Sequence, residues 1–122
     1  MLFFYKESVP AGQSATSFAY YIGGNNADVP ALITNPAMNV AVVGATSTAI
    51  VTLQVAVIPT DANQSTPPVD ADYFNMTQSD GTAITYTKNT IQSFNSLNGL
   101  WVRFHIDNTG SSSTATITAQ IS

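Results

Sequence analysis

LWVRFHIDNTGSSSTATITAQI, residues 100–121, decides the fold class. Leu100, Val102, Phe104 and Ile106 alternate with Trp101, Arg103, His105 and Asp107. After Asn108-Thr-Gly-Ser111 the alternation resumes, with Ala115, Ile117, Ala119 and Ile121 set against Thr114, Thr116, Thr118 and Gln120. A period of two turns one set of side chains to a core and the other away from it, which is strand spacing. Two such strands about a glycine-containing turn predict an antiparallel hairpin.

The same spacing recurs upstream. Val51, Leu53, Val55 and Val57 share one face, and Ile50, Thr52, Gln54, Ala56 and Ile58 share the other. A strand apolar on both faces is buried on both, or is half-buried against a partner subunit. Met38–Val43 is a second hydrophobic strand, joined to it through a turn at Gly44-Ala-Thr-Ser47. Together they form an uncharged stretch from Ala37 to Ile58, long enough to raise a membrane helix. Asn39, Gly44, Thr46, Ser47, Thr48, Thr52, Gln54 and the many β-branched residues argue against that reading.

Leu2–Lys6 suits a first strand, broken by Val9-Pro-Ala-Gly12. From Ser14 to Ile22, Phe18, Tyr20 and Ile22 fall on one face, and Gly23-Gly-Asn-Asn26 then forces a turn. Val29–Thr34 carries Pro30 and reads as an edge or a loop. Pro59–Val69 is one long loop, a solvated connection or a carrier of function. Asp72–Thr77, a turn at Ser79-Asp-Gly81, and Ala83–Thr87 come next. Thr90–Phe94 reads as strand or irregular, although Ile91, Phe94 and Leu97 also fit a helical turn ended by Gly99. No stretch carries a helix of three turns. The sum is an all-β chain, an antiparallel β-sandwich of about eight short strands, jelly-roll-like, in a single domain over residues 1–122.

Composition narrows the function. Charged residues make up 8% of the chain, against roughly 25% in an ordinary soluble domain. Hydrophobic content is 44%, so Thr, Ser, Asn and Gln must build the polar surface. Interface cores are depleted in charge, and such a surface suits life among other copies or partners. With a net charge of −4 and only Lys6, Lys88 and Arg103 as cations, the chain has no basic stripe for nucleic acid and none for anionic lipid. It has no cysteine, hence no disulfide framework and no thiolate metal site. The start, Met1–Glu7, has too short an apolar run for a signal-peptide core.

Candidate sites are few. His105 is the one histidine, and Asp107 two residues on could orient its imidazole, with Arg103 beside it. No nucleophile elbow or paired carboxylate accompanies it, and a surface histidine among polar neighbours explains it as well. Asp70, Asp72, Asn75 and Asp80 could offer oxygen ligands to calcium, yet they are also the residues turns prefer. Asn63-Gln-Ser65 and Asn75-Met-Thr77 match the glycosylation acceptor pattern. Trp101, Tyr20, Tyr21, Tyr73 and Tyr86 could stack on a sugar, or Trp101 could pack against a neighbouring sheet or subunit. We therefore expect no enzyme, no catalytic residue, no cofactor and no bound metal.

From Asp72-Ala-Tyr-Phe through Ser79-Asp-Gly-Thr82, Leu100–Ile106, Asn108-Thr-Gly110 and Ala115–Ile121, the order of segments resembles the small β-sandwich structural proteins of tailed bacteriophages, above all capsid decoration or cement proteins. The Thr- and Asn-rich, cysteine-free composition is similar to theirs as well. The resemblance implies a non-enzymatic subunit on the capsid exterior of the virion. It implies that the subunit binds the major capsid protein lattice and stiffens it, as a homo-oligomer, often a trimer. Leu2-Phe-Phe-Tyr5 would then anchor against a neighbour, or serve as an ordinary core strand. The alternative is a carbohydrate-recognition or receptor-binding module at a tail tip or cell surface.

Overall fold

The computed structural model describes residues 1–22, 38–57, 68–94, 97 and 99–122. The turn expected at Gly23–Asn26, the edge or loop at Val29–Thr34, most of the long loop Pro59–Val69 and the Asn63 acceptor lie outside the described residues. Within them, the chain forms strands β1 (Leu2–Val9), β2 (Ser14–Thr16), β3 (Tyr20–Ile22), β4 (Met38–Val43) and β5 (Ile50–Val57). After these come β6 (Phe74–Asn75), β7 (Thr85–Tyr86), β8 (Thr90–Phe94), β9 (Leu100–Asp107) and β10 (Ala115–Ile121). The only helical feature among the described residues is a single 3-10 turn at Asp70–Asp72.

Two antiparallel sheets result. One runs β1-β10-β4-β8, and we call it sheet A. In the other, sheet B, β9 pairs with β5; β2 and β3 both line the far side of β9, and β6 and β7 both line the far side of β5. The split edge strands reduce to one position each, so the described residues fill eight strand positions. That is the antiparallel β-sandwich the alternation predicts. The core lies between the sheets, where Val40, Val42, Val51, Leu53, Val102, Phe104, Ile106, Ile117 and Ile121 are fully buried. The stretch weighed as a membrane helix is β4 and β5, parted by an arch at residues 44–49.

The expected C-terminal hairpin is not there. β9 and β10 have the predicted alternation, yet β9 lies in sheet B and β10 in sheet A. Their connection crosses from one sheet to the other. Alternation says that each strand has one face inward; it does not say which strand lies alongside. An arch between facing sheets satisfies it as well as a hairpin does. Asn108 fixes this arch: it is fully buried, and its side-chain amide donates to the carbonyls of Val9, Pro10 and Ser113 at 3.0, 3.2 and 3.0 Å. The β1–β2 connection is thereby tied to the β9–β10 connection.

The stretch expected as one strand, Ser14–Ile22, is broken by a bulge. Thr16 lies opposite His105 and Tyr20 opposite Val102, so Ser17, Phe18 and Ala19 face only Arg103 and Phe104. One extra residue inverts the sidedness of the chain beyond it. Ile22 is fully buried and Tyr20 lays its ring edge-on against Phe3, whereas Phe18 is 83% exposed. The face predicted to hold all three is therefore split. The helical alternative at Ile91–Leu97 gives way to strand β8, which pairs with β4 from Met38↔Phe94 to Val42↔Thr90.

Candidate interaction surfaces

Three surfaces stand out, and the first is the outer face of sheet B. Here β5 and β9 set Gln54 opposite Arg103, and Asn75 of β6 lies beyond Gln54. The Arg103 guanidinium lies over the Tyr73 ring at 3.9 Å; its Nε donates to Gln54 Oε1 at 2.9 Å and its Nη1 to Asp70 Oδ1 at 2.7 Å. Gln54 passes its own amide to Asn75 Oδ1 at 3.2 Å. Burial raises the Tyr73 phenol above its ordinary value, opposed by Arg103 and aided by Asp70 and Asp72. This is a packed cation–aromatic cluster, with the Asp70 side chain itself 97% exposed at its rim.

The expected site residues divide here. His105 Nδ1 lies 2.9 Å from Thr16 Oγ1, on the neighbouring strand. Asp107 is engaged elsewhere: its Oδ1 accepts the backbone N–H of Thr109 at 3.0 Å and the Thr109 hydroxyl at 2.5 Å. Those bonds hold its carboxyl below the usual range. Its turn role thus competes with any role as an imidazole partner. The four oxygen-ligand candidates are also spread over separate tasks. Asp70 meets Arg103, Asp72 Oδ2 caps the Val69 N–H, Asn75 accepts from Gln54, and Asp80 binds the Thr82 N–H and hydroxyl. The Thr82 hydroxyl and N–H hold the Asp80 carboxyl below its ordinary value. No group of three metal-ligating side chains forms among the described residues.

The aromatic candidates do not form a platform. Trp101 is only 5% exposed and Tyr86 is buried, with its hydroxyl donating to Gln92 Oε1 at 2.9 Å. Tyr73 is covered by Arg103, Tyr20 packs edge-on against Phe3 at 5.0 Å, and Tyr21 is tilted against Trp101 at 5.7 Å. A stacking face must be open to the sugar, so Trp101 and Tyr86 cannot supply it in this arrangement.

The second surface is the outer face of sheet A. Register places Leu2, Gln120, Ala41 and Ile91 in one row, Thr118 with Val43 in the next, and Asn39 with Ser93 at the end. None of these carries a charge. Leu2, Val43 and Ile91 are exposed, Ile91 to 78%. The nearest charges in the strands, Lys6 and Glu7, lie on the β1 edge. Sheet B, by contrast, has Arg103, His105 and Asp107 on its outer face. Sequence reasoning found the low charge of the whole chain but not this division between faces, which depends on pairing.

The third comprises two concavities. A cleft of about 290 Å³ at the arch end is lined by Thr46, Thr48, Ser111, Ser113, Thr114 and Thr116, with Asn108 in its wall. A groove of about 240 Å³ opens between the β1 edge and the β2–β3 edge, lined by Phe3, Phe4, Glu7, Thr16, Ser17 and Phe18. No protein-family model matches the chain, and no curated protein or solved structure matches it.

Proposed function

We propose that the chain is a non-enzymatic virion structural protein, a decoration or cement subunit that seats on the outer capsid lattice and stabilises it. The observation that carries this reading is the outer face of sheet A, uncharged across β10, β4 and β8, with Leu2, Val43 and Ile91 exposed among Gln120, Thr118, Asn39 and Ser93 and with Lys6 and Glu7 confined to the β1 edge. Leu2 and Ile91 lie on the two edge strands and Val43 at the end of β4, with neutral Gln120, Thr118, Ala41 and Asn39 between them, and a face so depleted in charge matches the make-up of protein interfaces. It resists neither a partner's positive nor its negative surface. The sheet orders, β1-β10-β4-β8 against β2/β3-β9-β5-β6/β7, support a jelly-roll winding, an architecture that serves in virus shells and lectins. The major capsid protein is the partner we assign, and the capsid exterior the location.

The test is cosedimentation with assembled shells of the major capsid protein encoded in the same genome. The wild-type chain should pellet with shells and not with unassembled capsid protein, and Ile91→Asp should stay in the supernatant while keeping its fold. A wild-type chain that never pellets with shells overturns the reading. Carbohydrate recognition, the competing function, predicts instead a positive glycan array that survives Ile91→Asp.

A further inference from the structure

Phe18 is held where a solvent-exposed ring is least expected. Ser17 on one side donates its N–H to the Phe104 carbonyl at 2.9 Å, and its hydroxyl accepts the Phe104 N–H at 2.9 Å. The same hydroxyl donates to the Phe18 carbonyl at 2.8 Å. On the other side Tyr20–Ile22 rejoin β9. The bulge is therefore pinned at both ends, and it projects a phenyl ring out of the sandwich. That ring forms part of the wall of the groove between the two sheet edges, which is lined by Phe3, Phe4 and Glu7 on one side and by Thr16, Ser17 and Phe18 on the other.

We infer that Phe18 is a knob for a second copy of this chain, seating in that copy's groove over Phe3 and Phe4. The knob and the socket belong to the same surface, so one contact between copies can fill both grooves and bury both rings. The groove has ample room for one phenyl ring. Of the charges on β1, Glu7 lines the groove and Lys6 precedes it in the chain, one of each sign, so identical edges meet no net like-charge barrier. Backbone pairing between copies is a poor alternative. β1 shifts register between Leu2 and Phe4 and again between Phe4 and Glu7, with Lys6 at φ +49°, and β2–β3 is bulged at Ser17–Ala19. Bulged edges do not offer a regular ladder, which leaves side-chain insertion. This inference goes beyond the proposed function and does not depend on the capsid.

Analytical ultracentrifugation of the full chain over a wide concentration range tests it. The wild type should self-associate, and Phe18→Ser should weaken association at least about tenfold, the loss expected for one well-packed aromatic anchor. Thr16→Arg, which fills the groove mouth from an exposed position, should do the same. Both variants should keep the wild-type far-ultraviolet spectrum, because neither side chain lies in the core. Phe18→Trp should show a blue shift in emission as concentration rises. A monomeric wild type, or a Phe18→Ser chain that associates as strongly as the wild type, overturns the inference. Shell cosedimentation is a separate readout: a monomer that still pellets with shells sinks this inference alone.

Discussion

The Ser17 hydroxyl accepts the Phe104 backbone N–H at 2.9 Å, in the place where a regular strand would offer a carbonyl. A side chain thus completes the ladder where the chain carries one residue too many. Ser17→Ala removes the acceptor of this half-buried N–H, at a cost of about 1–3 kcal/mol. Urea unfolding should show that loss with an unchanged m-value. A loss well under the lower bound would mean that the bulge is held by other contacts.

Asn108 has no exposure, and its amide nitrogen serves three carbonyls, those of Val9 at the end of β1, Pro10 just after it and Ser113 in its own connection. Its Oδ1 has no partner among the described residues, so the nitrogen side does the tying. Asn108→Ala leaves those carbonyls without their donor and should destabilise the fold by about 2–3 kcal/mol. Asn108→Asp should be worse at neutral pH, since a buried carboxylate would face carbonyl oxygens. Its deficit should shrink on acidification, as the carboxyl regains a proton to donate. Thermal unfolding across the acid range measures both.

Gly44 and Gly12 both sit at positive φ, +97° and +76°, but only one is crowded. A Cβ on Gly44 would lie 2.0 Å from the Thr116 carbonyl oxygen, whereas nothing lies within 4 Å of one on Gly12. Gly12→Ala should therefore cost about 1 kcal/mol, the left-handed penalty alone. Gly44→Ala adds a backbone clash between the β4–β5 arch and β10, and should fail to fold or lose more than about 3 kcal/mol. Soluble yield and chemical denaturation of the pair give the comparison.

Burial raises the Tyr86 phenol well above its ordinary value. A raised folded-state value means that its contribution is complete below the unfolded value, about 10, and is lost as pH climbs through the folded one. Stability of the wild type should fall above the unfolded value as the buried hydroxyl is forced to ionise. Tyr86→Phe, though weakened by the lost bond to Gln92, should show a shallower alkaline decline. Equal slopes for the two proteins would assign the decline to other groups.

Asp107 behaves in the opposite sense. Thr109 holds its carboxyl low, so its contribution is present above the ordinary aspartate value and is lost as pH falls through the folded-state value. Thr109→Val removes the hydroxyl donor and should make the acid limb of stability shallower below about pH 4. The group is open to solvent, so the effect is small and is best read by nuclear magnetic resonance titration of Asp107 itself.

Much of this protein was legible in its residue order, and for one reason. In β9 and β10 the alternation of side chains is long enough to survive any neighbour, so two faces could be separated residue by residue, and in β5 the same period separates two faces that are both largely apolar. Low charge was equally visible. Ser17–Ala19 shows where such reading stops: nothing in Ser-Phe-Ala announces an extra residue, because the bulge exists only relative to β9. The same holds for Trp101, whose place opposite Ala56 and Tyr21 depends on strand pairing.

By itself, then, the sequence determined that the chain is an all-β sandwich with few charges to place on its surface, since both properties are sums over local side-chain chemistry. Which sheet receives each strand, which strands carry the few charges, and why Phe18 parts from Tyr20 and Ile22 were decided only in the tertiary structure. Strand pairing joins residues far apart in the chain, and a period of two is blind to its partner. One added residue, within Ser17–Ala19 against Arg103 and Phe104, is enough to part Phe18 from Tyr20 and Ile22, with which a period of two groups it.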